Sequence, residues 1–354
     1  MSSPRRILLV RTSAMGDIVH CLPFLVALGR RFPDAHVGWV VEKVWRPILE
    51  GHPGIHELIT VRTKAWRKQP LSRVVRSEIR EAKSKIRAFG ADLTFDLMGN
   101  LKGAVLARWS RAPRIVGAAA NCRREGLSAR LMTETVDLDA LGVGIHAVDR
   151  ALGLLAALDA YDPKEDVDLG GRDVLTDVTP SARSFLSGLD PSRPMVLIQA
   201  GAGWGNKIYP QPWWGEVARR LGEAGYDVVL PTAPGEEALA ESIAERSGGA
   251  ARTVDATDFR FLAALMRRSA LLLGGDTGPV HLAHALGTPV LSIIGPTDPE
   301  RNGPYRAVDQ VLFHRLPCSF CYKRFDAPRA CLLSIPPQRV ATRALGLLAD
   351  ARRA

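Results

Sequence analysis

The stretch that decides the fold is RILLVRTSAMGD, residues 6–17, in which an apolar run passes directly into small and polar residues. Residues 6–10 have the composition of a buried strand, and residues 18–28 have the spacing of an amphipathic helix. A strand that passes through a short glycine-containing turn into a helix is typical of the start of a βαβ unit.

The same alternation continues along most of the chain. Strands are predicted at residues 6–10, 36–41, 58–61, 92–96 and 114–116, and again at 195–199, 227–230, 252–254, 271–274 and 290–294. Helices are predicted between them, for example at residues 212–224, 236–246 and 261–268, with a last helix at 337–351. The pattern predicts an α/β protein whose parallel sheets carry helices on both faces and right-handed crossovers.

The chain length of 354 residues suits two domains, each able to bury its own core. The alternation starts again after a polar, glycine-containing stretch at residues 169–180. We therefore predict two Rossmann-like domains, residues 1–172 and 173–335, and a C-terminal segment, 336–354, whose helix packs back across the interface. Open sheets of this type bind ligands at the carboxyl ends of their strands, so the site is expected in an inter-domain cleft.

The composition excludes several classes of protein. Hydrophobic residues make up 46% of the chain and charged residues 24%, which excludes intrinsic disorder and collagen-like repeats. Five cysteines, an odd number, do not form the framework of a secreted disulfide protein. The first apolar run ends at Arg11, too early for a signal peptide, and no apolar stretch reaches the roughly 20 residues of a membrane-spanning helix. A cytosolic protein is expected.

The net charge of +10 is concentrated in residues 62–87, called the basic stretch below. This stretch holds ten Lys or Arg residues and two Glu residues. It is either a solvated helix face or a docking site for a polyanion such as nucleic acid, an anionic membrane or a phosphorylated glycan. Trp66 is its only aromatic residue and the chain has no nucleic-acid-binding motif, so anionic lipid or phosphorylated glycan is favoured and nucleic acid is not.

Two loops after predicted strands carry candidate chemistry. In the first loop, Asp17 opens a helix, where an Asp either caps the helix or accepts a proton from a ligand. No G-x-G-x-x-G sequence follows the strand, so a nicotinamide enzyme is disfavoured. In the second loop, the N–H groups of Thr277 and Gly278 would form a diphosphate cradle at a helix N-terminus, and Asp276 could accept hydrogen bonds from sugar hydroxyls.

Two pairs of residues resemble metal ligands without completing a site. His281 and His284 share one helix face, but no third ligand accompanies them, and packing is the favoured role of His284. Asp166 and Asp168 form an Asp-x-Asp pattern in the predicted connection between the domains rather than after a strand of the site. We expect neither pair to bind a metal.

A cysteine cluster near the C-terminus has two interpretations. Cys318 and Cys321 have the spacing of a zinc site, and His314 precedes them. The third cysteine, Cys331, has no partner two to four residues away. Reduced, partly buried thiols are therefore favoured over a structural zinc.

Several of these segments together resemble glycosyltransferase family 9, the ADP-heptose:lipopolysaccharide heptosyltransferases. The segments that carry the resemblance are residues 11–17 with helix 18–28, 96–102, 146–150, 202–210, 276–285 and 295–299. They span nearly the whole chain, and their combination is far more specific than any single motif. The resemblance implies a GT-B fold with the active site between two Rossmann-like domains.

The resemblance also implies roles for individual residues. Asp17 would be the general base that deprotonates the acceptor hydroxyl. The implied donor-binding residues are Lys207 at the diphosphate, Glu236 at the adenosine ribose, Asp276 at the heptose, and Thr277, Gly278 and His281 on the phosphate side. The predicted acceptor-binding residues are Arg62, Lys64, Arg67, Lys68 and Lys102. No metal and no cofactor are implied.

The sequence departs from the family pattern in places. The loop at residues 201–205 is unusually rich in glycine and contains Trp204. The cysteine segment is similar to the heptosyltransferase II type, whereas residues 96–102 and the basic stretch are similar to type I. The type and the exact acceptor therefore stay open.

The leading prediction is an inverting, metal-independent transferase that moves a heptose from ADP-heptose to phosphorylated Kdo-lipid A or its heptosylated product. It would act as a monomer in the cytoplasm, peripheral on the inner face of the cytoplasmic membrane. One alternative is another nucleotide-sugar enzyme of this fold, such as an epimerase, which would need neither an acceptor nor the basic stretch. The other is a non-catalytic anionic-lipid binder, against which the combination of Asp17, Lys207 and Asp276 argues.

Overall fold

The computed structural model describes residues 4–162 and 166–351, so the last three residues of the predicted C-terminal segment lie outside it. The chain divides into two compact units between Leu175 and Thr176, close to the boundary predicted after residue 172. No helix among the described residues is long and apolar enough to cross a membrane.

The first unit is built on a six-stranded parallel sheet with the order β3-β2-β1-β4-β5-β6. Its strands are β1 (Arg6–Val10), β2 (His36–Glu42), β3 (Glu57–Val61), β4 (Leu93–Asp96), β5 (Arg114–Ala118) and β6 (Glu134–Val136). Its α-helices are α1 (Met15–Val19), α2 (Leu22–Arg31), α3 (Arg46–Leu49), α4 (Thr63–Lys68), α5 (Arg73–Ala88), α6 (Leu101–Trp109) and α7 (Ala147–Leu152). The side chains of residues 7–10 are fully buried, as expected for a parallel strand covered on both faces.

The second unit repeats this plan with the strand order β12-β11-β10-β7-β8-β9. Its strands are β7 (Met195–Gln199), β8 (Asp227–Thr232), β9 (Ala251–Asp255), β10 (Leu271–Gly275), β11 (Val290–Ile294) and β12 (Val311–Phe313). Its α-helices are α8 (Pro180–Ser187), α9 (Gln211–Glu223), α10 (Glu237–Arg246), α11 (Phe259–Arg268), α12 (Gly278–Ala285), α13 (Pro299–Asn302), α14 (Ala330–Leu333) and α15 (Pro337–Ala351).

Both sheets have the strand order of a Rossmann fold, so the predicted α/β class is confirmed. In each sheet the strand order reverses between two central strands, which are β1 and β4 in the first unit and β7 and β10 in the second. The loops that leave such a pair of strands diverge to opposite faces and open a crevice for ligands. The two candidate loops of the sequence both leave a strand of this kind.

The ten predicted strands are all present, and the structure adds two that the sequence pattern missed. β6 and β12 are three-residue edge strands, too short to show a periodicity of their own. Helix α15 contributes Val340, Ala344 and Leu348 to the core of the second unit. Its packing across the interface between the units stays a prediction.

Candidate active site

Four side chains meet beyond the carboxyl ends of β7 and β10 in the second unit. Lys207 Nζ lies 2.5 Å from Asp276 Oδ2, and the hydroxyl of Thr297 donates a hydrogen bond to the same oxygen at 2.7 Å. The Nε2 atom of His281 lies 3.4 Å from the other carboxylate oxygen. These four residues are called the Asp276 cluster below, and the sequence had assigned three of them to the donor site.

The backbone of β10 lets the Lys207 loop approach closely. A Cβ atom at Gly275 would lie 2.9 Å from the carbonyl oxygen of Lys207, a distance that side-chain carbons do not adopt. Glycine at this position therefore permits the contact between two loops that are far apart in the chain. Asp276 follows at the end of the strand, and Thr277 is the N-cap residue that precedes helix α12.

The Asp276 cluster contains a buried ion pair between Lys207 and Asp276. The side chain of Lys207 is 13% exposed and that of Asp276 only 7%. Burial by itself would raise the pKa of Asp276, but the hydrogen bond from His281 and the charge of Lys207 outweigh burial and lower the pKa to about 2. The carboxylate is therefore ionised at neutral pH, and it offsets the positive charge of Lys207.

Thr277 has a polar atom that the protein does not satisfy. Its hydroxyl oxygen is buried and has no hydrogen-bond partner within the described part of the chain. Thr277 is the N-cap residue of α12, yet its side chain makes no capping hydrogen bond. A buried hydroxyl without a partner costs free energy, and the N-terminus of a helix attracts anions. The arrangement suits a ligand oxygen that accepts a hydrogen bond from Thr277.

Glu236 lies beside the end of β7. Its Oε1 atom fills the space next to Gly201, where an added Cβ atom would approach it to 1.8 Å, and its Oε2 atom lies 3.5 Å from Gln199 Nε2. The neighbouring Glu237 accepts a hydrogen bond from the backbone of Gly235 instead. Of the two adjacent glutamates, Glu236 is therefore the one that reaches the carboxyl end of the sheet.

In the first unit, the carboxylate of Asp17 has partners within the protein and is also partly exposed to solvent. Helix α1 begins at Met15 rather than at Asp17, and Ala14 is its N-cap residue. From the third position of the helix, Asp17 Oδ2 accepts a hydrogen bond from the backbone N–H of Ala14 at 2.9 Å, which stabilises the first turn. Its Oδ1 atom lies 2.6 Å from a guanidinium nitrogen of Arg11. The Asp17 side chain is nevertheless 45% exposed, so a ligand can also reach the carboxylate. Capping and proton acceptance are compatible here.

Arg11 is a site residue to which the sequence assigned no role of its own. Its guanidinium group also donates a hydrogen bond to the carbonyl oxygen of Leu97, which follows β4. Burial lowers the pKa of Arg11, but the Asp17 carboxylate reverses this shift and the net direction is upward, so the buried group stays charged. Arg11 thus connects the loops after β1 and β4. The sequence could have indicated this role, because Arg11 directly follows the predicted strand at residues 6–10.

Lys102 approaches the same loop from the start of α6. Its Nζ atom lies 3.3 Å from Ser13 Oγ. Burial lowers the pKa of Lys102, Glu42 opposes this shift, and the positive charges of Lys64 and Arg67 add to it. The structure therefore brings Lys64 and Arg67, on α4, within electrostatic reach of Lys102.

The other two predicted acceptor-binding residues, Arg62 and Lys68, have different surroundings. Lys68 is exposed at the end of α4. Arg62 forms an ion pair with Glu78 at 2.7 Å, and Trp66 donates a hydrogen bond to the other oxygen of Glu78 at 3.0 Å. Glu78 therefore offsets the positive charge of Arg62.

The residues that resembled metal ligands mostly have protein partners. His284 Nε2 lies 3.0 Å from the carbonyl oxygen of Tyr305, and Asp168 lies 3.6 Å from Arg30. Cys318 and Cys321 are exposed and Cys331 is buried, and none of them forms a disulfide. Among the described residues, the one group of three potential ligand atoms within 4.8 Å of one another belongs to Cys122, Asp137 and Asp139, all outside the predicted patterns.

Comparison with known proteins shows the family to which this chain belongs. The family model of glycosyltransferase family 9 (heptosyltransferase) matches residues 79–330. The chain belongs to glycosyltransferase family 9. Its sequence is 31% identical to lipopolysaccharide heptosyltransferase 1 of Pseudomonas aeruginosa, in an alignment that covers 97% of this chain and 98% of that protein. It is 28% identical to lipopolysaccharide heptosyltransferase 1 of Escherichia coli K12, with 85% and 91% covered.

Solved structures of a heptosyltransferase and of a family 9 glycosyltransferase have the same fold. The E. coli heptosyltransferase WaaC with ADP superimposes with a TM-score of 0.79 at 24% identity, covering 97% of this chain and 99% of that one. A family 9 glycosyltransferase from Veillonella parvula gives a TM-score of 0.80 at 24% identity, with 99% of both chains covered. The predicted family and GT-B fold are thereby confirmed.

Proposed function

We propose that this chain transfers a heptose from ADP-heptose to the inner core of lipopolysaccharide, on phosphorylated Kdo-lipid A or its heptosylated product. The observation that carries the proposal is the Asp276 cluster beside the unpartnered hydroxyl of Thr277 at the start of α12. Lipopolysaccharide heptosyltransferases are among its relatives, and WaaC has been solved with ADP and with ADP-2-deoxy-2-fluoro heptose.

The second unit supplies the donor site. Lys207 donates a charge-assisted hydrogen bond to the diphosphate, and the N–H groups and hydroxyl at the start of α12 donate further hydrogen bonds to its oxygens. Asp276 accepts hydrogen bonds from heptose hydroxyls, and Glu236 accepts them from the ribose. His281 and Thr297 hold the Asp276 carboxylate in place.

The first unit supplies the base. The acceptor oxygen forms a bond to the anomeric carbon of the heptose while the bond from that carbon to the diphosphate breaks, and ADP leaves with the electron pair. Asp17 takes the proton of the acceptor hydroxyl. A single displacement of this kind inverts the configuration at the anomeric carbon.

No metal is required in this scheme. Hydrogen bonds from Lys207 and the N–H dipoles of α12 stabilise the diphosphate as negative charge develops on it. The donor and base residues all come from one chain, so a monomer suffices as the working unit.

The acceptor and the membrane are bound by the basic stretch together with Lys102. Lys64, Arg67 and Lys102 contact phosphates and carboxylates of the acceptor. Leu71, after α4, is 79% exposed, and Val74, in the first turn of α5, is 67% exposed, and exposed cations of α4 and α5 precede and follow them in the sequence. Apolar side chains amid cations suit an anionic lipid surface, so we place the enzyme in the cytoplasm, peripheral on the inner face of the cytoplasmic membrane.

A donor screen tests the proposal. Binding of ADP, UDP, GDP and the corresponding sugar nucleotides is measured by calorimetry, and ADP-heptose is then incubated with a Kdo-lipid A acceptor. We expect preference for the adenine nucleotides and acceptor-dependent release of ADP. Conversion of a sugar nucleotide in the absence of acceptor would indicate an epimerase, and binding of lipid without nucleotide would indicate a non-catalytic lipid binder.

A further inference from the structure

Residues 318–331, called the cysteine strap below, are attached to the loops of the donor site. The backbone N–H of Asn206 donates to the carbonyl oxygen of Phe325 at 2.9 Å, and the Asn206 side chain donates to the carbonyl oxygen of Lys323 at the same distance. On its other side, the N–H of Tyr322 donates to the carbonyl oxygen of Pro296 at 3.2 Å. Asn206 is 1% exposed, so its two hydrogen bonds to the strap are shielded from water.

The cysteine strap brings a second cation to the Lys207 loop. Lys207 Nζ lies 4.5 Å from the centre of the Trp204 ring, and the guanidinium carbon of Arg324 lies 4.5 Å from the same centre. Both positions are within the range of cation–π attraction. Trp204, the residue that departs from the family pattern, therefore contacts two positive side chains at the end of β7.

The two cations differ in whether a nearby carboxylate balances their positive charge. Lys207 is paired with the buried Asp276 carboxylate, so the pair carries no net charge. Arg324 forms no ion pair with any carboxylate of the described residues, and it is exposed to solvent. Positive charges that contact the same ring repel each other, and an anionic ligand that contacts both of them would reduce that repulsion. A doubly charged ligand needs more positive charge than the compensated Lys207 alone provides.

We propose that Arg324 is a second phosphate-binding residue, and that Trp204 orients it toward the diphosphate of the sugar nucleotide beside Lys207. The planar guanidinium group suits a phosphate because it donates two parallel hydrogen bonds. This inference rests on the proposed function, since it takes a nucleoside diphosphate as the ligand at Lys207. It assigns to the cysteine strap a direct part in donor binding.

Calorimetry with the full-length protein tests the inference, with ADP and adenosine as probes. Arg324→Met should raise the Kd of ADP about 10-fold, the lower end for a charge-assisted hydrogen bond, because the group is exposed. The Kd of adenosine should not change, since adenosine has no phosphate. Arg324→Lys should retain part of the affinity for ADP.

Lys323→Met is the matched control. It removes one positive charge from the adjacent position of the strap, and the Lys323 side chain has no ion pair or ring contact among the described residues. An unchanged ADP affinity in Arg324→Met would overturn the inference, as would an equal loss in Lys323→Met or an equal loss of adenosine binding. Failure of the proposed function is distinct, because wild-type protein would then bind no ADP or Lys207→Met would bind it normally.

Discussion

Asp17 combines a helix cap with an exposed carboxylate, and one substitution separates the two roles. In Asp17→Asn the amide oxygen can still accept the hydrogen bond from Ala14, so the turn before α1 should persist. The variant can no longer take a proton, and turnover should fall about 10²–10⁴-fold, the usual contribution of a general base. Donor affinity should stay nearly intact.

Steady-state turnover and calorimetric ADP affinity check this prediction together. Loss of ADP affinity with normal turnover would show that Asp17 is not the base. Arg11 offers a related comparison, because Arg11→Lys keeps a cation beside Asp17, whereas Arg11→Met leaves the carboxylate without one.

Lys207 should contribute to donor binding through its charge. Lys207→Ala should weaken ADP binding about 10–150-fold, which corresponds to the roughly 1.5–3 kcal/mol of a charge-assisted hydrogen bond. The same change leaves Asp276 buried without its cation, which costs stability as well. The double variant Lys207→Met/Asp276→Asn removes both charges, so it should recover stability without recovering ADP affinity. Unchanged ADP affinity in Lys207→Ala would remove Lys207 from the phosphate site.

The ion pair also predicts how the second unit responds to acid. The pKa of Asp276 is lowered from 3.8 to about 2 in the folded protein. A carboxyl group whose pKa is lower in the folded than in the unfolded protein stabilises the fold at any pH above the unfolded-state pKa. For Asp276 this stabilisation is lost as the pH falls from near 4 toward 2. Denaturant unfolding over this range should show a smaller decline in Lys207→Met/Asp276→Asn than in wild type. Equal declines would mean that the pair does not control acid stability.

At the scale of the element, α4 is the part of the basic stretch that we expect to meet the acceptor. Replacing Arg62, Lys64, Arg67 and Lys68 by Gln should raise the acceptor KM and reduce its dependence on salt. Each cation near an anionic surface contributes about 1 kcal/mol, and salt screens the charges beyond a Debye length of about 8 Å. ADP affinity should not change, because the donor residues lie in the second unit.

Single variants in α4 and at Arg62, the residue before it, test this prediction more closely. Arg62 is paired with Glu78, so Arg62→Gln should have less effect than Lys64→Gln or Arg67→Gln. If the fourfold variant used the natural acceptor as well as wild type at about 0.15 M salt, the stretch would be a solvated face only.

At the scale of the whole molecule, the two units have separate cores and only one is expected to bind nucleotide. ADP at about 100 times its Kd should stabilise the second unit by about 2.7 kcal/mol. Hydrogen exchange with and without ADP measures this effect in each unit. We expect increased protection of β7, β10 and α12, and little change in β1–β6. Equal protection of both units would contradict the assignment of the donor site.

The sequence by itself determined the alternation of strands and helices, the division into two units and the loops that carry Asp17 and Asp276. These features depend on local periodicity and on residues adjacent in the chain, which a single sequence displays. The family resemblance added roles for Lys207 and Glu236. The edge strands β6 and β12 were missed because three residues show no period.

Only the tertiary structure decided which side chains meet. The partner of Asp17 is Arg11, Thr297 holds Asp276 from the loop after β11, and Arg324 reaches Trp204 from a strap more than a hundred residues away. Such contacts depend on strand order and on the rotamers of buried side chains, which the local pattern does not specify. A parallel sheet brings the carboxyl ends of distant strands to one edge, so the site is assembled by the fold rather than by proximity in sequence.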